Sequence, residues 1–233
     1  ASILSESDRL YKTLFNSISH ELRIPVTSIL SASETLKEIE QGISKDIGEE
    51  IYMAAQRLHR LIENLLSMSR LDSGRLSPRF DWYDVHDLVN SVTGLLKNEL
   101  KEYDLSINIP DDMPLVRIDF GLIEQVLYNL LYNITVYVPS HTLIELDLQH
   151  DGTNFCISIT DYGKGFADKD LPYIFNKFYR GESGITGGSG LGLSIVKGYI
   201  DIHKGQVEAS NVTGKGANIF IRIPSMLPLI ENF

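Results

Sequence analysis

The stretch Ser19-His20-Glu21-Leu22-Arg23-Ile24-Pro25 lies in a segment whose apolar residues repeat with the period of a helix. Apolar residues fall four apart at Leu10, Leu14, Ile18 and Leu22. This spacing, which continues downstream, predicts one long amphipathic helix over residues 8–40. Because proline lacks an amide hydrogen and crowds the preceding turn, we expect a local bend at Pro25, one turn after His20.

A second segment with helical spacing follows. Residues 41–46 predict a turn, and apolar residues then recur from Ile51 to Leu71, which predicts a helix over 48–72. Two helices with a short connection form an antiparallel hairpin. Each helix carries a wider apolar stripe than one hairpin can cover, so we expect a homodimer in which two hairpins form a four-helix bundle.

The pattern changes after the turn-rich stretch at 72–78, which we interpret as a domain boundary. We expect a helical domain over residues 1–77 and a mixed domain over 78–233. In the mixed domain the sequence predicts helices over 84–100, 119–137 and 189–203, and strands near 104–109, 115–118, 142–149, 154–160, 205–211 and 216–223. A glycine-rich loop is expected over 162–187. Helices on one face of a mixed sheet make an α/β sandwich.

Charge and cysteine content exclude several classes of protein. The chain of 233 residues has 31 acidic and 21 basic side chains, a net charge of −10, which argues against nucleic acid or an anionic membrane as a direct partner. Cys156 is the single cysteine, as expected for a reducing compartment. The sequence lacks an apolar run long enough to span a membrane, so we expect a cytoplasmic chain. Because it begins within polar helical sequence, we expect it to be part of something longer, such as the cytoplasmic portion of a membrane-bound sensor.

His20 and Glu21 are the first candidate reactive residues. An unprotonated imidazole nitrogen is a nucleophile, and a neighbouring carboxylate can orient the ring and accept its proton. A lone His-Glu pair on a helix is most often a solvated surface pair. Here the pair lies just before the expected bend, and the same chain carries the features of a nucleotide pocket. Together these features predict phosphoryl transfer from ATP to the imidazole.

Asn129 and Asn133 lie four residues apart and so share one face of the predicted helix 119–137. Two amide oxygens on one face can ligate Mg²⁺ while phosphates complete its coordination shell. Taken alone, such a pair is more often two ordinary helix-surface residues. The metal interpretation therefore depends on the glycine-rich motifs that follow.

Two glycine motifs flank the predicted loop. Asp161-Tyr162-Gly163-Lys164-Gly165 ends an apolar strand, where a carboxylate can accept a hydrogen bond from the exocyclic amine of adenine and glycines let the backbone approach the base. Gly188, Gly190 and Gly192 precede an apolar helix and expose amide groups that suit an anion. The segment 181–187 between them could close over a nucleotide. The P-loop pattern is absent, and the order of strand and glycine turn differs from the Rossmann motif.

These motifs, in this order, resemble the catalytic core of the sensor histidine kinases of two-component systems. Ser19–Pro25 resembles the H box, Glu124–Tyr137 the N box, Asp161–Gly165 the first glycine box, Phe175–Arg180 the F box and Gly188–Gly192 the second glycine box. The resemblance covers residues 8–225. It implies a dimerisation and histidine-phosphotransfer domain followed by an ATPase domain of the Bergerat (GHKL) type. Stretches such as Ile174–Gly181 are most similar to the Kdp-type sensors of potassium limitation.

The resemblance implies an ATP:protein-histidine phosphotransferase that acts as a homodimer and passes phosphate to an aspartate in the receiver domain of a response regulator. It implies that His20 is the nucleophile and Glu21 the base. The other implied site residues bind ATP and its Mg²⁺: Asn129 and Asn133 as metal ligands, with Tyr137, Asp161, Gly163, Gly165, Lys177, Arg180, Gly188, Gly190, Leu191 and Gly192 around the nucleotide.

Two positions depart from the family pattern. Ile24 stands where the family usually has Thr or Asn, so we expect weak phosphatase activity toward the regulator. Val136 stands where the N box usually has lysine, which leaves open a dimeric pseudokinase or scaffold that binds nucleotide but transfers little phosphate. A plain ATPase similar to the gyrase and chaperone relatives is a further alternative, against which the box around His20 argues.

Overall fold

The structure, a computed structural model, describes residues 26–36, 43–74, 76–181, 190–213 and 216–227. The chain divides into two compact units, Ala1–Leu76 and Ser77–Phe233. The candidate site residues His20, Glu21, Ile24 and Gly188, and the bend expected at Pro25, lie outside the described residues. None of the helices in the described ranges is both long and apolar enough to cross a membrane.

The described part of the first unit consists of two helices. Residues 26–36 form α1, and Ile43–Asp72 form α2. Val26 and Leu30, one turn apart on α1, pack with Ile62 and Leu66, one turn apart on α2. The helix α2 begins at Ile43, so the turn predicted over 41–46 is wrong for residues 43–46. Serine and aspartate suit the first turn of a helix as well as a turn, and the local sequence does not separate the two.

Large apolar side chains of α1 and α2 remain exposed in the single chain. They are 38–47% exposed and comprise Ile29, Leu36, Ile51, Met53, Leu58 and Leu61. The hairpin core therefore covers only part of the apolar surface of its two helices. This remaining surface is the one that a second copy of the chain would cover in the expected four-helix bundle.

The second unit is built on a mixed five-stranded sheet of order β2-β4-β5-β7-β6. The strands are β1 (Asp81–Tyr83), β2 (Asp104–Asn108), β3 (Val116–Ile118), β4 (Leu143–His150), β5 (Asn154–Asp161), β6 (Gln206–Asn211) and β7 (Ala217–Pro224). The strand β2 runs parallel to β4, and the other neighbours in this sheet are antiparallel. The strands β1 and β3 form a separate antiparallel pair.

Helices cover one face of this sheet. They are α3 (Val85–Leu95), α4 (Lys97–Leu100), α5 (Phe120–Tyr137) and α6 (Gly192–Ile202), with a 3₁₀ turn at Leu171–Tyr173. Along β4, Ile144, Leu146 and Leu148 are fully buried, whereas Glu145 and Asp147 between them are not, as expected for a sheet with one covered face. The helix α5 packs against both α3 and α6, and α6 packs on β6. The predicted α/β sandwich is confirmed.

Two details of the mixed domain differ from expectation. The helix predicted over 84–100 is interrupted at Leu96, whose φ of −102° and ψ of 18° separate α3 from α4. The strand β1, Asp81-Trp82-Tyr83, was absent from the predicted elements, because it lacks the β-branched residues that mark β3. The other predicted helices and strands of this unit lie within three residues of the observed ones.

Asp119 caps α5 and connects it to the end of α6. Its Oδ1 accepts a hydrogen bond from the Leu122 amide (3.1 Å), and its Oδ2 accepts one from the Arg79 amide (2.7 Å). The Asp119 amide donates to Nε2 of His203 (3.1 Å), so the ring proton lies on Nδ1, which donates to the Tyr199 carbonyl oxygen (2.7 Å). His203 is 3% exposed, and burial lowers its pKa.

His203 should make the stability of this unit depend on pH. Because its folded pKa lies below its ordinary value of 6.5, its contribution is present above that pH and is lost as the pH falls through the folded pKa. We expect the free energy of unfolding in urea to fall between pH 7 and 5, by at most about 1.4 kcal/mol per pH unit from this group. His203→Gln should remove that part of the slope.

The control for this measurement is His141→Gln, because the His141 side chain is 81% exposed. It should keep the slope of the unsubstituted chain. An unchanged slope in His203→Gln would show that the buried ring does not take part in the pH dependence.

Candidate active site

Asp161, the last residue of β5, is a buried carboxylate at the end of the sheet. Its Oδ1 accepts hydrogen bonds from the Gly163 amide (2.8 Å) and the Ala217 amide (3.4 Å), and its carbonyl oxygen accepts one from the Gly216 amide (2.8 Å). None of the described residues donates a hydrogen bond to Oδ2. Burial raises the pKa of Asp161, and the two amide hydrogen bonds oppose that shift.

Glycines surround this carboxylate because a side chain would not fit. A Cβ at Gly216 would lie 2.2 Å from Asp161 Oδ1 and 2.6 Å from the Gly163 nitrogen. A Cβ at Gly163 would lie 2.9 Å from the same Oδ1 and 3.0 Å from Val138 Cγ1. Gly165 has a φ of +71°, which favours glycine. The two backbone segments can therefore approach Asp161 only as glycine.

The helix α5 carries the predicted asparagine pair. Asn129 is 7% exposed, and its Nδ2 is buried without a hydrogen-bond partner among the described residues. Asn133 lies beside the start of α6, since a Cβ at Gly192 would be 3.5 Å from its Oδ1 and Nδ2. A rotation of the amide by 180° exchanges its oxygen and nitrogen, so either atom of Asn129 can face a ligand. A buried unpaired amide and a second amide one turn away fit a Mg²⁺ that phosphates also coordinate.

The F-box segment, Phe175–Arg180, contacts the second glycine box at Gly190. Gly190 has a φ of +69°, and a Cβ there would be 2.7 Å from the Tyr179 carbonyl oxygen. Lys177 and Arg180 of this segment are exposed cations. Leu191 is 1% exposed, so its side chain belongs to the core, and only its backbone is suited to contact a nucleotide.

The end of α5 meets the first glycine box through Val138. Tyr137, expected near the adenine, is the last residue of α5 and is 36% exposed, while the side chain of the next residue, Val138, lies against Gly163. The Tyr103 hydroxyl holds this helix end, with the Val138 carbonyl oxygen at 2.8 Å and the Thr135 carbonyl oxygen at 3.1 Å. Burial raises the pKa of Tyr103.

Sequence reasoning missed two of the residues around Asp161. Val138 gave no chemical signal, because an apolar residue after a helix suggests only packing. Gly216 did give a signal, since it ends the glycine-containing stretch Asn211-Val212-Thr213-Gly214-Lys215-Gly216, but such a stretch between two predicted strands indicates only a hairpin connection.

Two protein families match the chain. Residues 11–74 match the His Kinase A (phospho-acceptor) domain, and residues 119–226 match the histidine kinase-, DNA gyrase B-, and HSP90-like ATPase. The chain is the catalytic core of a histidine kinase. The order of the two matches is that of the predicted boxes, with the phospho-acceptor domain first.

The relatives of this histidine kinase include the sensor protein KdpD of Clostridium acetobutylicum, 34% identical over 229 residues, which are 95% of this chain and 25% of that protein. The sensor protein KdpD of Escherichia coli is 31% identical over 239 residues, 100% of this chain and 26% of that protein. The predicted similarity to Kdp-type sensors is therefore confirmed. The chain spans about a quarter of the length of these relatives.

Solved structures of histidine kinases share the fold. Full-length ShkA in complex with AMPPNP has a TM-score of 0.74 at 22% identity, covering 93% of this chain and 46% of that one. The Acinetobacter baumannii histidine kinase AdeS has a TM-score of 0.65 at 24% identity, and the match covers 88% of this chain and 97% of that one. The predicted architecture, a helical domain followed by a Bergerat-type α/β sandwich, is confirmed.

The close contacts of Gly216 can be tested with a substitution that adds a single methyl group. Gly216→Ala should lower both the free energy of unfolding and the affinity for ADP, because the added Cβ would overlap the Asp161 carboxylate and displace the Gly163 backbone. Urea unfolding and calorimetric titration with ADP measure the two effects.

Gly94→Ala is the matched control. A Cβ at Gly94 would have no neighbour within 4 Å, and Gly94 lies inside α3, where alanine is favoured by up to about 1 kcal/mol. It should raise stability and leave ADP affinity unchanged. If Gly216→Ala behaved like this control, the crowding around Asp161 would not constrain the site.

Proposed function

We propose that this kinase core transfers the γ-phosphate of ATP to its own His20, and that the phosphate then passes to an aspartate in the receiver domain of a response regulator. The observation that carries the proposal is the way α5 joins both glycine boxes. Val138 at its end lies against Gly163 beside Asp161, and Asn133 lies against Gly192 at the start of α6. One helix thus lines the adenine end and the phosphate end of a single site.

Adenine recognition is assigned to Asp161. Its Oδ2 receives no hydrogen bond from the described residues and would accept one from the exocyclic amine of the base, with Tyr137 nearby. Gly163 and Gly165 let the backbone lie close to the ring. A hydrogen bond to a charged group of this kind contributes about 1.5–3 kcal/mol.

Phosphate binding is assigned to the other end of α5. Asn129 and Asn133 would hold a Mg²⁺, which neutralises charge on the phosphates when bound. The backbone of Gly188, Gly190, Leu191 and Gly192 would lie beside those phosphates at the start of α6. Because Val136 provides no charge, the cations of the F box, Lys177 and Arg180, would supply it.

The transfer itself needs only positioning and one proton acceptor. A ring nitrogen of His20 forms a bond to the γ-phosphorus, the bond from that phosphorus to the bridging oxygen breaks, and ADP leaves. Glu21 accepts the proton that the ring gives up. Ile24 lacks a hydroxyl or amide that could hold a water for attack on a phosphoaspartate, so phosphatase activity toward the regulator should be weak.

We assign dimerisation and phosphotransfer to residues 1–77 and ATP binding to residues 78–233. The exposed apolar side chains of α1 and α2 support a homodimer. Because relatives named sensor proteins are about four times as long, we propose that this chain works in the cytoplasm as the catalytic part of a longer sensor. Direct contact with nucleic acid or with the membrane surface is not expected at a net charge of −10.

The phosphate acceptor is tested with labelled ATP and Mg²⁺. The chain should acquire an acid-labile label, because a phosphorus–nitrogen bond hydrolyses in acid. His20→Gln should abolish the label and keep ADP binding, and His86→Gln, at an exposed histidine outside the site, should keep both. Label that persists in His20→Gln would refute the assignment. ATP hydrolysis without label would instead support an ATPase, and nucleotide binding without either activity would support a pseudokinase.

The substitution Asp161→Asn tests two roles of this carboxylate, in nucleotide affinity and in the stability of the folded chain. ADP affinity should fall roughly tenfold or more through loss of a charged acceptor. Because the folded pKa of Asp161 is raised, its contribution to stability is present below the ordinary value of 3.8 and is lost as pH rises through the folded pKa. The free energy of unfolding of Asp161→Asn relative to the unsubstituted chain should therefore increase from pH 4 to pH 7. A difference that does not change with pH would contradict the buried, ionised carboxylate.

A further inference from the structure

The turn between β6 and β7 lies against the first glycine box. At its far end the Gly216 amide donates to the Asp161 carbonyl oxygen (2.8 Å), and the Gly216 carbonyl oxygen accepts from the Val212 amide (3.0 Å). A Cβ at Gly165 would lie 3.3 Å from that same carbonyl oxygen. Gly216 therefore contacts both Asp161, the first residue of the glycine box, and Gly165, its last residue.

Asn211, the last residue of β6, binds the backbone that follows this box. Its Oδ1 accepts a hydrogen bond from the Phe166 amide (2.9 Å), and its Nδ2 donates to the Phe166 carbonyl oxygen (2.8 Å) and to Asp168 Oδ1 (3.2 Å). The carboxamide thus pairs with Phe166 as a neighbouring strand would. Gly165 has room for this contact only as glycine, because a Cβ there would lie 2.6 Å from Asn211 Oδ1.

We propose that Asn211 is a positioning residue of the nucleotide site. Its carboxamide fixes Gly165 and Phe166, and so holds the backbone from Asp161 to Gly165 in the conformation that receives the adenine. Fixing the backbone before the nucleotide arrives lowers the ordering cost of binding. The inference rests on the proposed function and extends it to a residue outside all five boxes, 45 positions from Phe166 along the chain.

Only a carboxamide satisfies this arrangement. The Phe166 amide needs an acceptor, and both the Phe166 carbonyl oxygen and the Asp168 carboxylate need a donor. A carboxylate at position 211 would provide the acceptor alone and would face Asp168 with a like charge. An alanine would provide neither.

The first test compares Asn211→Ala with the unsubstituted full chain. The Kd for ADP and the KM for ATP in autophosphorylation should rise about five- to tenfold, because two or three partly exposed hydrogen bonds are lost, while kcat stays within about twofold. A residue that mattered only for folding would lower the melting temperature without nucleotide and would leave KM unchanged.

The matched control is Asn108→Ala. Asn108 is exposed at the end of β2, on the opposite edge of the sheet from β6, and its Nδ2 donates to Asp147 Oδ1 (2.8 Å). It therefore has the same residue type and the same kind of carboxylate partner as Asn211. Its removal should leave Kd and KM unchanged.

The second test is a rescue. Asn211→Asp should weaken ADP binding more than Asn211→Ala, because it places two carboxylates together. Adding Asp168→Asn to Asn211→Asp removes one of the charges and restores a donor between the two side chains, so binding should recover to the level of Asn211→Ala or better. Asp168→Asn alone should have an effect of less than about twofold, since its oxygen can still accept from Asn211.

The outcomes separate this inference from the function it rests on. If the unsubstituted chain binds ADP and Asn211→Ala binds it equally well, or if kcat falls with KM unchanged, the positioning role is overturned while the proposed function stands. Failure of the double variant to recover also overturns it. If the unsubstituted chain binds no adenine nucleotide, both proposals fail together.

Discussion

The hydrogen bond from the Asp119 amide to the neutral ring of His203 joins the start of α5 to the end of α6. Both helices carry residues of the proposed nucleotide site, Asn129 and Asn133 on α5 and Gly192 at the start of α6, so the relative position of the helices decides whether these residues meet. A hydrogen bond from the Tyr199 hydroxyl to Gln125 Oε1 (3.0 Å) connects the same two helices further along. The phosphate end of the site is therefore held by polar contacts at the opposite end of both helices.

Asp161 illustrates a conflict between stability and function. Burial of the carboxylate at the end of β5 raises its pKa, so the ionised form destabilises the folded protein at neutral pH. The two amide hydrogen bonds offset the effect of burial only in part. In the proposed site this cost has a use, because a carboxylate shielded from water binds the exocyclic amine of adenine more strongly than an exposed one would. The surrounding glycines belong to the same compromise, since they let two backbone segments approach the carboxylate but lose more conformational freedom on folding than other residues would.

Local signals were sufficient for much of this unit. The helix α5 was predicted from its apolar spacing, and Asp161 and its glycines were predicted from their motif. Asn211, Gly216 and Val138 could not be assigned to the site, because their roles depend on contacts with residues distant in the chain, and an exposed asparagine at a strand end looks like any turn residue. The reactive roles of His20 and Glu21 stay predictions, since both lie outside the described residues.

The position of β7 in the sheet has a consequence for how the protein is made. The strands β4 and β5 form a hairpin with a short turn at Asp151, whose carboxylate accepts hydrogen bonds from Thr153 and Asn154, and such local contacts form early in folding. The strand β7 pairs with β5 across about 60 residues, and only this pairing brings Gly216 to Asp161. During synthesis from the N-terminus, the proposed adenine site therefore cannot assemble until β7 has left the ribosome, well after β4 and β5. A nucleotide that binds this site could not assist the folding of the nascent chain before β7 has paired with β5.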